Sequence, residues 1–203
     1  MIDEFTYPTA ESKLITFQIG AICVSWSQID SCLGIILGHY MKVEAAHTDV
    51  ATSIIDLPRK CELIKALAFL AEDRKTYLKL ERALNFLDNA LRPVRNRYVH
   101  DSYSFFTGDH IRTIMKAQVI NTKSFTKELV TRQKHPVTAS ELAAFNKDLD
   151  VLAHFLAGQY IRLIVDPSIA EENAMSALHN VLEDACDELS ALIKRYSSKT
   201  KAS

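Results

Sequence analysis

Between Ile15 and Tyr40 the apolar residues Ile15, Ile19, Ile22, Trp26, Ile29, Leu33, Ile36 and Tyr40 recur at alternating steps of four and three. An α-helix turns once in 3.6 residues, so this spacing lays all eight on one stripe and predicts an amphipathic helix from about Ala10 to Lys42. A helix that long cannot bury its stripe on itself, and a bundle of comparably long helices is the simplest way to cover it. Gly20, Ala21, Gly34 and Gly38 lie off the stripe. A glycine weakens a helix by up to ~1 kcal/mol relative to Ala, so these small residues are expected to serve the close approach of a second backbone, within the chain or across a dimer.

Other stretches repeat the pattern. After a connection over Glu44 to Asp49, a less regular stripe of Ile54, Cys61, Ile64 or Lys65, Leu67 or Ala68, and Ala71 predicts a second helix over about 50–71, with Pro58 starting or kinking its regular part. Tyr77, Leu80, Leu84, Leu87, Leu91, Val94 and Tyr98 predict a third over about 74–100. Thr138-Ala-Ser-Glu141 has the form of a capping box and opens a fourth along Leu142, Phe145, Leu149, Leu152, Leu156, Gln159 and Leu163, ended by Asp166-Pro167. A fifth runs over about 169–196 along Met175, Leu178, Leu182, Ala185, Leu189, Leu192 and Tyr196, and the polar tail 197–203 is expected to be disordered. Between the third and fourth helices SYSFF, RTIMKAQVI and SFTKELVTR are β-branched and aromatic, separated by Thr107-Gly108-Asp109 and Asn121-Thr122-Lys123. They read as two or three short strands in a hairpin-like insert at about 102–135. The expected fold is therefore all-α, an up-and-down bundle of about five long helices with a small β-hairpin-like insert after helix three, in one domain over 1–203. Five Gly and five Pro leave too few turn residues for an all-β chain of 203 residues.

The densest group of reactive side chains is RPVRNRYVHDSY, residues 92–103. Arg95, Asn96 and His100 fall off the third stripe, which leaves them to face a cleft or a partner. Arg is a permanently charged planar fork suited to phosphate, His titrates nearest neutrality, and Asn both donates and accepts. That set suits phosphodiester chemistry without a metal. Arg95 and His100 lie five apart, about 140° around a regular helix, so meeting at one phosphate requires Arg95 to reach across or the helix to loosen near Pro93.

An Arg followed by a polar residue and then by a His four to six positions on, late in a helix of an all-helical chain, resembles the HEPN superfamily. The resemblance implies an endoribonuclease in which the 2′-hydroxyl attacks its own phosphate, with no cofactor and no metal. His100 would be the acid/base, Arg95 would hold the phosphate, and Asn96 would orient one of its oxygens. Arg92, Arg97 and Tyr98 would contact RNA; by charge alone, Arg59 and Lys60 add further cations to the local cluster of Arg92, Arg95 and Arg97. The resemblance also implies a homodimer whose two clusters share a cleft, and an antitoxin or other regulatory protein partner in a toxin or defence system. The chain reads His100-Asp101-Ser102-Tyr103, and so departs from the H-x-Y of HEPN toxins paired with nucleotidyltransferase antitoxins.

A rival reading is a non-catalytic helical dimerisation or interaction module with an anion- or RNA-binding basic cluster, since cations near a helix C-terminus favour its dipole in any case. The formal charge of −1 supplies no global basic field, so RNA binding would rest on a local cluster. Glu44-Ala-Ala-His47 has the spacing of a di-iron ligand pair, but a di-iron bundle needs a second such motif and two further carboxylates, and metal binding is not expected. Trp26 reads as a buried anchor. Four scattered cysteines without a C-x-x-C pair, a polar acidic N-terminus and the charge-broken apolar window 20–41 point to a reduced cytoplasmic setting and no membrane span.

Overall fold

A computed structural model describes residues 9–104, 110–121, 126–165 and 172–201. The expected turns at Thr107-Gly108-Asp109 and Thr122-Lys123, and the Asp166-Pro167 stop, lie outside them. The chain is mostly helical with one small sheet: α1 (Ala10–Tyr40), a 3-10 turn (Ala45–His47), α2 (Thr48–Ser53), α3 (Leu57–Ala71), α4 (Arg74–Phe86), a π-helical turn (Leu87–Leu91), α5 (Arg92–His100), β1 (Ser102–Ser104), β2 (Ile111–Asn121), β3 (Thr126–Pro136), α6 (Ala139–Ile164) and α7 (Glu172–Lys201). The sheet is antiparallel in the order β1-β2-β3, with Tyr103 opposite Arg112 and Arg112 opposite His135.

Local chemistry sets the helix ends. Lys42 adopts φ 57°, while its N–H bonds to the His39 carbonyl at 2.9 Å and the Val43 N–H to the Gly38 carbonyl at 2.9 Å. This is a Schellman stop built on a lysine, and it ends α1 two residues before the periodicity suggested. The expected second helix is two helices, because the Asp56 side chain accepts from the Arg59 N–H at 3.0 Å and restarts the chain with Pro58 in the first turn of α3. The tail expected to be disordered continues α7 as far as Lys201, with the Ser197 and Ser198 hydroxyls donating to the Ile193 and Arg195 carbonyls.

The chain divides into two compact units, residues 1–23 with 94–146 and residues 24–93 with 147–203. The first buries Ile15, Ile22, Tyr98, Val137, Leu142 and Phe145. The second buries Ile29, Leu33, Ile36 and Leu37 of α1, Cys61 and Ile64 of α3, Leu80, Leu84, Leu87 and Leu91, Leu149, Leu152 and Phe155 of α6, and Leu189 and Leu192 of α7. The first, third, fourth and fifth stripes thus supply most of both cores, although Trp26 is only half-buried; the second stripe does so only at Cys61, Ile64 and Ala68, since Ile54 and Ala71 are exposed. Gly34 and Gly38 serve close approach within the chain: a Cβ on either would lie within 3.0 Å of Thr52 or Thr48 on α2. By length and composition α1 could cross a bilayer; its Leu14, Phe17 and Val24 are exposed.

In the second unit Glu72 Oε1 accepts from the Tyr40 hydroxyl at 2.8 Å and from Arg162 Nη2 at 2.9 Å. Burial alone would raise the Glu72 carboxyl, but the hydrogen bonds from Arg162 and Tyr40 and the Arg162 charge outweigh it and hold the group below its ordinary value of 4.5. A depressed carboxylate contributes stability that is fully present above the ordinary value and is lost as pH falls through the lower folded value. Thermal melts are expected to show wild-type stability declining below about pH 4.5, the ordinary carboxylate value, with part of that decline absent from Arg162→Gln. An identical acid profile in the two proteins would show that this cluster carries none of it.

Candidate active site at the end of α5

Pro93 has no N–H and its ring crowds the carbonyl four residues back, so a regular α-helix cannot pass it unstrained. The helix responds by widening just before it: the Arg92 N–H bonds to the Leu87 carbonyl, five residues back, across the π-helical turn Leu87–Leu91. α5 then runs regularly to His100. The irregularity anticipated at Pro93 therefore precedes the cluster, and Arg95 closes the angular gap by reaching across the helix surface.

Arg95 Nη1 donates to Asn96 Oδ1 at 3.2 Å and stands 3.3 Å from His100 Nε2. Arginine has no acceptor, so in this contact the imidazole nitrogen must accept, which places the proton of neutral His100 on Nδ1. Arg95 and Asn96 are half-buried and His100 is exposed. Arg95 thus touches both other candidate catalytic residues, and the His100 ring lies at the surface.

The expected RNA contacts fare differently. Arg97 is exposed and only loosely held, its Nη1 3.5 Å from Asp101 Oδ1. Arg92, in the second unit, donates from Nε to Asp88 Oδ1 at 2.6 Å. Tyr98 is 7% exposed and is a core residue: its ring lies 5.1 Å from that of Phe145, and its hydroxyl donates to Glu141 Oε1 at 2.5 Å. It cannot stack on a base, because its face is already covered. Lys60, a further expected cation, is 3% exposed and donates to Asp30 at 2.9 Å.

The structure also brings in residues that sequence reading passed over. The Arg112 guanidinium lies 4.8 Å from the centre of the Tyr98 ring, and its Nε is 3.8 Å from Asp101 Oδ2. The Tyr103 hydroxyl donates to the Tyr98 carbonyl at 2.6 Å. Burial pushes the Tyr103 phenol up to about 12 and, with Glu141, pushes the Tyr98 phenol up as well, so both remain protonated donors at neutral pH. The capping box is half-made: Thr138 Oγ1 accepts from the Glu141 N–H at 3.1 Å, but the Glu141 carboxylate is diverted to Tyr98, and the Ala139 N–H is taken by Glu11 at 2.8 Å. Asp101 and Tyr103 were legible as neighbours of His100. Arg112 was not, because its place opposite Tyr103 depends on strand register.

Among the described residues no three His, Cys, Asp or Glu side chains come together as a metal-ligand group. Glu44 and His47 meet at 3.4 Å on an exposed turn. The chain matches no protein-family model, no curated protein and no solved structure.

Proposed function

We propose that Arg95, Asn96 and His100 form the centre of a metal-independent endoribonuclease of HEPN type. The observation that carries this reading is the contact of Arg95 Nη1 with both Asn96 Oδ1 and His100 Nε2. It puts a permanent cation beside a nitrogen base on an exposed ring, a pairing suited to removing a hydroxyl proton next to a phosphate and balancing the charge that develops. Arg95 Nη1 leaves the imidazole for the phosphate, which frees the Nε2 lone pair, and the 2′-hydroxyl loses its proton to His100 Nε2 as its oxygen bonds to phosphorus. The bond from phosphorus to the 5′-oxygen breaks, leaving a 2′,3′-cyclic phosphate and a 5′-hydroxyl. Arg95 draws the phosphate in and balances charge on its non-bridging oxygens, and Asn96 steadies the guanidinium. A positioned base contributes about 10²–10⁴-fold and a charge clamp about 10²–10³-fold. The described Arg95-Asn96-His100 cluster holds one imidazole, and we assign the acid that protonates the departing 5′-oxygen to a second copy in a homodimer, the commonest soluble assembly. The chain would work in the cytoplasm, under a regulatory protein partner.

The test uses purified protein with single-stranded and structured RNA in EDTA, beside His100→Ala, with the active species sized by sedimentation. Cleavage that survives EDTA, yields cyclic phosphate ends and falls at least about 10²-fold in the variant is the expected result. Activity carried by a monomer removes the second copy from the scheme. No cleavage of any RNA leaves the basic cluster as part of a helical interaction module.

A further inference from the structure

α5 ends with its last four carbonyls lacking partners within the helix, and the side chains of the final turn are only as well placed as those carbonyls are satisfied. The Arg97 carbonyl is taken by the Asp101 N–H at 3.2 Å, which extends the helical pattern by one residue. The next carbonyl, that of Tyr98, is taken by the phenol of Tyr103 on β1 at 2.6 Å. This bond closes the segment 98–103 into a loop with His100 inside it. Both ends of the loop are anchored. Tyr98 is fixed by Phe145 and Glu141 of α6, and Tyr103 is paired across the sheet with Arg112, whose guanidinium lies over the Tyr98 ring.

We infer that Tyr103 is a positioning residue for His100: its hydroxyl staples the last turn of α5 and so keeps the exposed imidazole in reach of Arg95. The inference rests on the endoribonuclease reading for its catalytic consequence, but the staple itself is independent of that reading. It assigns the β insert a purpose, which is to hold the end of the helix that carries the base. Burial keeps the phenol protonated across the working pH range, so the staple does not loosen with pH.

The test is Tyr103→Phe, which keeps the ring and removes only the hydroxyl. Amide hydrogen exchange at Asp101 is expected to quicken about tenfold or more while exchange in the middle of α6 and α7 stays unchanged, and the imidazole ¹⁵N signals of His100 are expected to move. In RNA cleavage kcat is expected to fall about 10- to 100-fold with KM altered less than about twofold, because a displacement near 1 Å of a reacting group costs on that order. Unchanged exchange at Asp101 overturns the staple, and so does exchange that quickens throughout the chain, which would mark a general loss of stability. Faster local exchange with kcat intact overturns the positioning role. If wild-type protein cleaves no RNA, the endoribonuclease reading fails by itself, and exchange together with the His100 signals still decides the staple.

Discussion

Arg95→Lys is expected to lose RNA cleavage nearly as completely as Arg95→Ala, each by about 10²–10³-fold in kcat/KM, which is the usual cost of removing one oxyanion donor. Arg95 Nη1 serves Asn96 Oδ1 and His100 Nε2, at 3.2 and 3.3 Å, and in the proposed mechanism it exchanges the imidazole for phosphate while Asn96 keeps the orientation of the planar group. A lysine keeps the charge but presents one nitrogen on a flexible stem, and cannot hold Asn96 and two phosphate oxygens together in a fixed plane. If Arg95 merely supplied a cation near the C-terminus of α5, Lys would substitute with little effect, since that interaction is worth about 0.3–1 kcal/mol and does not depend on donor geometry. Both variants are expected to melt near the wild-type temperature. Full activity in the Lys variant would remove the fork from the mechanism, and loss of folding in both would make Arg95 a structural residue.

Gly38→Ala is expected to destabilise the protein by roughly 1–3 kcal/mol, the range for forcing a methyl into a filled space, although Ala is the better helix former by up to ~1 kcal/mol. The added Cβ would sit 2.5 Å from Thr48 Cγ2, 2.8 Å from Thr48 Oγ1 and 3.2 Å from Thr48 Cβ. These are atoms of a short side chain on a helix packed against α1, so α2 itself would have to move. Adding Thr48→Ala removes the two closest atoms and should restore most of the loss, a non-additive pair in urea denaturation. Gly20 is the control. It is exposed, a Cβ there meets nothing within 4 Å, and Gly20→Ala should be neutral or stabilising. A Gly38→Ala protein as stable as Gly20→Ala would mean that α1 and α2 are not in close contact. The same geometry bears on assembly, since Gly34 and Gly38 face α2 and a dimer would have to be built from other surfaces.

Burial along the central parts of the first and third stripes was legible in the sequence because period and burial share one cause: a helix presents every third or fourth residue to the same side. Ile22, Ile29, Leu33 and Ile36 of α1, and Leu80, Leu84, Leu87 and Leu91 along the third stripe, are all within 1% of complete burial. The strands after His100 were legible for a related reason, β-branched and aromatic runs broken by turn residues, and the Arg, Asn and His of the cluster stood out by chemical type alone.

What the periodicity could not carry were decisions made by partners distant in sequence. Glu141 has the spacing to reach back to its own helix start, yet Tyr98, forty-three residues earlier, offers a phenol that takes the carboxylate instead. Tyr98 has the look of a base-stacking residue in a basic stretch, but Phe145 and Arg112 cover its ring. Arg95 and His100 point about 140° apart on paper, and only the length of the arginine side chain lying along the helix surface brings them to 3.3 Å. A one-dimensional pattern reports which residues share a face. Which polar groups satisfy one another depends on where separate elements meet in space, because a hydrogen bond is decided within a few tenths of an ångström and carries no periodicity of its own.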